Sequence, residues 1–375
     1  MVSEEDMRNT ILRSIRTEYK ERYKRFEFYI FLCYLALLTI SFFAVKSANM
    51  NTALESSSSK HLILILFGIF LFFLTIILPE RFIRRFIPVL FFLTVAALIF
   101  VLAAPKISGS RRWISLGFFN FQPSEYFKLA EILFLSEVLA AKNSKVYYMA
   151  CLSIFFSAIL IYKEPDLGTT LIVLSMWLIM TIACAKHERI WKGAVWGAIL
   201  ASPVAFFMIQ DYQRDRILSI FSPQQNATGA AYNTIQSMRA IGSGGILGKG
   251  YMNGNMNLGN FVPEDHTDFI ISVIGEEFGF IGICLIIFLY AVILYRLYRG
   301  FNLSYDFFWK FYFLGSGFLI FFHVFENIGM NLGIMPVTGV PLPLVSWGGN
   351  QIITYSILLG LATKGCIVNK NKRQG

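Results

Sequence analysis

Ten times along its length this chain settles into an apolar run long enough to cross a lipid bilayer, and nothing constrains its fold more. The runs fall at about 26–45, 62–78, 86–104, 122–141, 146–162, 168–185, 191–209, 268–295, 309–333 and 350–367. They are continuous, with no polar–apolar alternation, so helices are expected and not the strands of a membrane barrel. The expectation is an all-α, polytopic integral membrane protein whose longest polar connection, 210–267, joins spans seven and eight. Composition agrees: 56% of the residues are hydrophobic, 15% are charged, and mean hydropathy is +0.59.

An even number of spans puts both termini on one side of the membrane. With the termini inside, about 22 of the 33 Lys and Arg fall in inner segments and about 10 in outer ones, as the positive-inside rule asks. Residues 1–25 then form a basic cytoplasmic tail, 26–367 a single transmembrane domain, and 368–375 a second basic tail, all in the cytoplasmic (inner) membrane. About 25 polar residues precede the first apolar run, and no small-residue cleavage site follows it, so no cleaved signal is expected. The net charge of +10 fits an anionic membrane surface; without an aromatic–basic recognition module, nucleic acid is not an expected partner. Five scattered Cys lack disulfide or metal spacing and read as apolar fillers.

Polar residues in such a chain need reasons. In GSRRWISLG (109–117), Arg112 with Arg111 is suited to a phosphate or diphosphate and Trp113 to a sugar or lipid chain. The competing reading is an aromatic belt with snorkelling arginines. In QPSEYFKLAEI (122–132), Glu125, Lys128 and Glu131 are three residues apart and share a helix face, as a structural ion-pair ladder or as a polar wall. In KEPDLGTT (163–170), Asp166 is either a helix cap or a carboxylate aimed at the Lys128 face or at a divalent cation. The outer connection holds Arg239 and the stretch IGSGGILGKG, which fails the phosphate-loop pattern because Ser243 and Gly250 occupy the wrong positions. Its amides and Lys249 are expected to suit a lipid diphosphate.

The connection ends in FVPEDHTDF. His266 and Thr267 precede Asp268, and Glu276 and Glu277 follow two turns later, about 12 Å deeper; His266 and the acid pair are expected to line the substrate site with Asp268. An acid at the lip of a membrane helix is costly to desolvate and usually faces a polar space or a substrate. Finally, Pro336, Pro341 and Pro343 interrupt the apolar stretch 327–350, which predicts a re-entrant loop buried in protein.

Six stretches in order, RRWISLGFFNFQPSE, KEPDLGTT, YQRDRILSIFSP, QSMRAIGSGGILGKG, FVPEDHTDFIISVIGEEFGFIG and GIMPVTGVPLPLVSWGG, resemble the SEDS family (shape, elongation, division and sporulation), with wording nearer its RodA branch than FtsW. The resemblance implies a peptidoglycan glycosyltransferase that polymerises lipid II and works with a class B penicillin-binding protein and other cell-elongation proteins. It places the essential acid on Asp268, the arginine–tryptophan motif on Arg112 and Trp113, the span-four charges on Glu125 and Lys128, and the proline–aspartate turn on Pro165 and Asp166. The chain departs from the family pattern at Ala231–Tyr232–Asn233, at Trp347 and at Asn350–Gln351.

On that reading Asp268 is the general base for the acceptor hydroxyl. Arg112, Arg239, Lys249 or a bound Mg²⁺ or Mn²⁺, held by Asp268 or Asp166, would meet the leaving diphosphate. The rival readings are a lipid II flippase and a division polymerase of the FtsW type.

Overall fold

The computed structural model describes residues 28–50, 57–105, 111–115, 117, 120–141, 143–184, 188, 191–193, 195–197, 211–218, 231–259 and 261–374. The elements are α1 (Phe28–Ala48), α2 (Ser57–Ile77), α3 (Glu80–Ala103), β1 (Ile114–Ser115), β2 (Asn120–Phe121), α4 (Pro123–Ala141), α5 (Ser144–Lys163) and α6 (Leu167–Cys184). After them come α7 (Asp211–Leu218), α8 (Tyr232–Gly244), α9 (Asn255–Leu258), α10 (Ile270–Leu303), α11 (Phe307–Asn331) and α12 (Gly349–Gln374). Among the described residues, eight helices are long and apolar enough to cross a membrane: α1, α2, α3, α5, α6, α10, α11 and α12. The chain is therefore an all-α multi-pass membrane protein. Most of the expected seventh span, 191–209, lies outside the described residues, as does the N-terminal tail.

Their outer faces are the large apolar side chains that lipid requires: Ile63, Phe70, Phe92, Phe100, Leu152 and Phe288 are all exposed. The fourth expected span is different. α4 is too charged to pass as a simple apolar helix, yet it is buried along most of its length and packs against α3, α5, α6, α11 and α12. Pro123 occupies its first turn, where the missing N–H costs nothing. Charges deep in lipid would be costly, so a helix carrying Glu125, Lys128 and Glu131 must occupy the centre of the bundle.

Long-range bonds register the two ends of the bundle. At one end Arg84 bridges Glu80 and Asp306, Lys364 Nζ donates to the Ile76 carbonyl at 2.8 Å, and Asn369 donates to Ser304 Oγ at 3.0 Å. The other end carries the β-hairpin, the Pro165–Asp166 turn, Asp268 and the start of α12. There Asn350 joins two elements: its Oδ1 accepts from the Gln122 amide at 3.2 Å and its Nδ2 donates to the Asn120 carbonyl at 2.8 Å. The short hairpin, paired Ile114 to Phe121 and Ser115 to Asn120, was not foreseen, since two-residue strands leave no periodic signal.

The eighth span differs from expectation in its bounds and its course. Its helix begins at Ile270, two residues after Asp268, runs to Leu303, and is broken at Gly279 (φ 65°, ψ −160°). There the glycine-rich hairpin packs backbone against backbone. A Cβ on Gly279 would lie 2.4 Å from the Gly248 nitrogen, and one on Gly248 would lie 2.1 Å from the Glu277 carbonyl oxygen. Only glycine tolerates both the dihedral angle and the approach.

The proline-interrupted loop is re-entrant, as its sequence predicts. Val340, Leu342, Leu344 and Val345 are buried, and the Pro343 carbonyl accepts a hydrogen bond from Tyr290, well inside the α10 span. Its irregular backbone is lodged in protein, the condition for such backbone at membrane depth.

Candidate active site

Asp268 sits in a run of turns ahead of α10 and is not its cap; Phe269 holds that position without a side-chain cap bond. The turn is closed by the Thr267 and Phe269 amides, both donating to the Glu264 carbonyl at 3.2 Å. The Trp347 amide donates to the His266 carbonyl at 2.8 Å, tying the turn to the re-entrant loop. The Asp268 side chain is half-buried, and a Cβ on Gly339 would lie 3.3 Å from its Oδ2, so the loop backbone forms one wall beside the acid.

Burial pushes the Asp268 carboxyl up to about 7, and the nearby Glu264 charge pushes the same way. Arg216, His266 and Arg112 pull it back down. Both arginines are themselves anchored. Arg216 Nη1 donates to the Val337 carbonyl at 3.1 Å. Arg112 Nε donates to the Glu164 carbonyl at 2.9 Å, another of its nitrogens reaches the Pro165 carbonyl, and Nη1 lies 3.9 Å from Asp166 Oδ2.

Of the two sequence readings of Asp166, the structure shows the cap, and its second oxygen meets Arg112 where the Lys128 face was expected. Its Oδ1 accepts from the Thr169 amide at 3.1 Å and caps α6, while Oδ2 faces Arg112. Beside it, Glu164 is fully buried and pushed up to about 9, by burial first and then by Asp166, with Arg112 opposing. At neutral pH it is an uncharged acid. Trp113 lies half-buried next to Arg112 on the way into β1.

A second polar group runs inward from this end. Lys128 Nζ donates to Glu125 Oε1 at 2.8 Å and lies 3.1 Å from His323 Nε2, all three side chains being buried. The Glu326 carboxylate is within electrostatic range of both Lys128 and Asp166, and a Cβ on Gly168 would lie 3.7 Å from its Oε1. Glu326 thus feels the charge of both the span-four Lys128 and the turn's Asp166.

Four other expected site residues lie elsewhere in the geometry. Glu276, with no exposure, pairs with Lys249 at 2.7 Å and accepts from the Met256 amide at 2.9 Å, the Asn257 amide at 3.2 Å and Asn257 Nδ2 at 2.8 Å. The Gly248, Lys249 and Gly250 amides donate to the carbonyls of Gly244, Glu276 and Glu277. These internal bonds occupy the groups expected to hold a diphosphate. Glu277 accepts from Ser47 of α1. Arg239 is exposed on α8. Among the described residues no group of three or more His, Cys, Asp or Glu is arranged to hold a metal ion.

Sequence reasoning did not single out Arg216, Glu264, His323, Glu326, Asn327 or Asn331. Arg216 and Glu264 were within reach, standing in two of the stretches that carry the resemblance. His323 and Glu326 stand in the expected ninth span, and Asn327 and Asn331 where that span overlaps the stretch read as a re-entrant loop; nothing in either pattern marked them out.

This arrangement defines a class: a polytopic membrane protein with a near-neutral carboxylate, flanked by guanidiniums, at one end of its bundle. The chain belongs to the FtsW/RodA/SpoVE family of cell cycle proteins, whose model matches residues 26–370. It is 35% identical over 304 residues to the peptidoglycan glycosyltransferase MrdB of Escherichia coli K12, covering 78% of this chain and 82% of that one. It is 31% identical to a probable peptidoglycan glycosyltransferase FtsW of Francisella salina, covering 90% and 88%. Among solved structures it resembles one described as the structural coordination of polymerization and crosslinking by a peptidoglycan synthase complex (TM-score 0.76, 27% identity, 92% of this chain and 98% of that one). It also resembles the rod shape determining protein RodA of Thermus thermophilus (TM-score 0.68, 25% identity, 91% and 96%).

Proposed function

We propose that the chain is a peptidoglycan glycosyltransferase that polymerises lipid II at the outer face of the cytoplasmic membrane, in the service of cell elongation. The activity is the one its relatives carry in their names, and the observation that supports it here is Asp268. A carboxylate with an ordinary pKa is a poor base at pH 7; one raised to about 7 is well matched to proton abstraction.

In the reaction, Asp268 takes the proton of the acceptor sugar's 4-hydroxyl. The resulting oxygen attacks the donor's anomeric carbon, a new C–O bond forms, and the polyprenyl diphosphate departs with the electron pair of the broken bond. Arg112 and Arg216 supply positive potential where that negative charge grows. A divalent cation at the diphosphate would draw most of its ligands from substrate oxygens and water. Glycosyl transfer also needs the two sugars in water and their tails in lipid, which the end of a bundle provides. Facing the Asp268 end outward leaves the Arg84, Lys364 and Asn369 end in the cytoplasm, in keeping with the distribution of positive charge. A class B penicillin-binding protein is the partner we assign, in line with the synthase complex among the structural relatives.

The test is conversion of purified lipid II by the detergent-solubilised protein with its transpeptidase partner, read as glycan chains on a gel. Polymer is expected. No polymer, together with lipid II movement across vesicles, would point to the flippase reading instead, since detergent leaves no bilayer to cross.

A further inference from the structure

Within that proposed reaction, we infer that Asn327 and Asn331, two buried amides on the last turns of α11, are positioning residues that hold the catalytic acid and the wall opposite it in register. They stand four residues apart and so share one helix face. Neither side chain has any exposure. Asn327 Nδ2 has two hydrogens and two acceptors: the Asp268 carbonyl at 2.9 Å and the Val340 carbonyl at 2.8 Å. Val340 follows Gly339, the residue whose backbone faces Asp268 Oδ2. One amide group thus fixes the peptide that carries the acid and the strand of loop that faces it.

Asn331 repeats the arrangement one turn later. Its Nδ2 donates to the Asp268 carbonyl at 3.1 Å and to the Asn327 carbonyl at 2.9 Å. Its Oδ1 accepts from Ser237 Oγ of α8 at 2.9 Å. Three separately folded segments, the Asp268 turn, the re-entrant loop and α8, are therefore keyed to one helix end. Two donors on a single carbonyl pin the plane of the peptide after Asp268. They thereby set the direction in which its Cα–Cβ bond presents the carboxylate. Neither amide touches the carboxylate itself, so both act through it and are not catalytic.

The roles call for donors, not merely for side chains of this size. Asn327→Asp keeps the volume but sets carboxylate oxygens against two carbonyl oxygens. Asn327→Ala, Asn327→Asp and Asn331→Ala, each purified as full-length protein with its partner, would be assayed with lipid II across pH. A misplacement of about 1 Å costs on the order of a hundredfold in rate. The expected result is a fall of about that size in kcat for both Asn327 variants. A smaller fall is expected for Asn331→Ala, with KM for lipid II within about twofold of the parent. Ser237→Ala, which removes only the bond to Asn331, should lower kcat least. Wild-type kcat per folded molecule in Asn327→Asp would overturn the inference. So would a loss of activity that follows the amount of folded protein alone. If Asn327 variants do not fold, Asn331→Ala and Ser237→Ala decide between the same outcomes. Polymer formation by the parent in the same assay shows that the underlying reaction stands whichever way the variants fall.

Discussion

Asp268→Asn is expected to lower glycan polymerisation by roughly 10²–10⁴-fold, the usual contribution of a positioned general base, while leaving a folded, partner-bound protein. The geometry explains why the two effects separate. What anchors residue 268 is its backbone carbonyl, held by Asn327 and Asn331, and not its carboxylate. Asn has nearly the same shape, does not cap α10 any more than Asp does, and cannot accept the proton. Residual polymerisation at the parental rate would remove Asp268 from the chemistry. Loss of the folded protein would show instead that its charge supports the structure. Gel analysis of lipid II products alongside size-exclusion of the detergent complex distinguishes these outcomes.

The second large effect is on stability. Lys128 and Glu125 are nearly without exposure in the centre of the bundle, and Lys128 also meets His323. Removing one member of a buried pair leaves an uncompensated charge, at a cost of about 3–5 kcal/mol. Lys128→Met is therefore expected to lower the thermal midpoint of the detergent-solubilised protein sharply. The double change Glu125→Gln with Lys128→Met should recover most of it, because it removes both charges together. Equal melting of the single and double variants would mean that water reaches the pair and that it contributes little.

The ease of reading the fold and the difficulty of reading the site have the same origin. Apolar runs are long, local and redundant, so hydropathy and three prolines alone led to ten expected spans, eight of which are apolar spanning helices among the described residues, and to a re-entrant loop. α4 was also legible, because charges at three-residue steps in a span must face inward. Contacts made across sequence left no comparable trace. Lys249 and the glycine-rich hairpin looked like a phosphate cradle because glycine and lysine are what such a cradle needs. A hairpin clasping the Gly279 break requires the same residues. Glu276 and Glu277 looked like deeper site acids because a straight helix would have carried them inward. They lie just before the break at Gly279, where partners within the protein claim them: Glu276 pairs with Lys249 and Glu277 accepts from Ser47 of α1. Asp268, Arg112 and Asp166 stood out in the sequence because each is a polar residue with a cost in lipid. Asn327 and Asn331 were passed over because amides near a helix end are unremarkable until their partners are known.

The central claim is that partial burial among mixed charges makes Asp268 a base that titrates near neutrality. Its most direct test is the pH dependence of polymerisation for the parent, Glu264→Gln and Arg216→Gln. A protonated Asp268 accepts nothing, so the parental rate should fall as pH drops through about 7. Removing the Glu264 charge should move that midpoint to lower pH, and removing the Arg216 charge should move it higher. An acid limb near the ordinary aspartate value of about 4, or a limb unmoved by either change, would contradict the account.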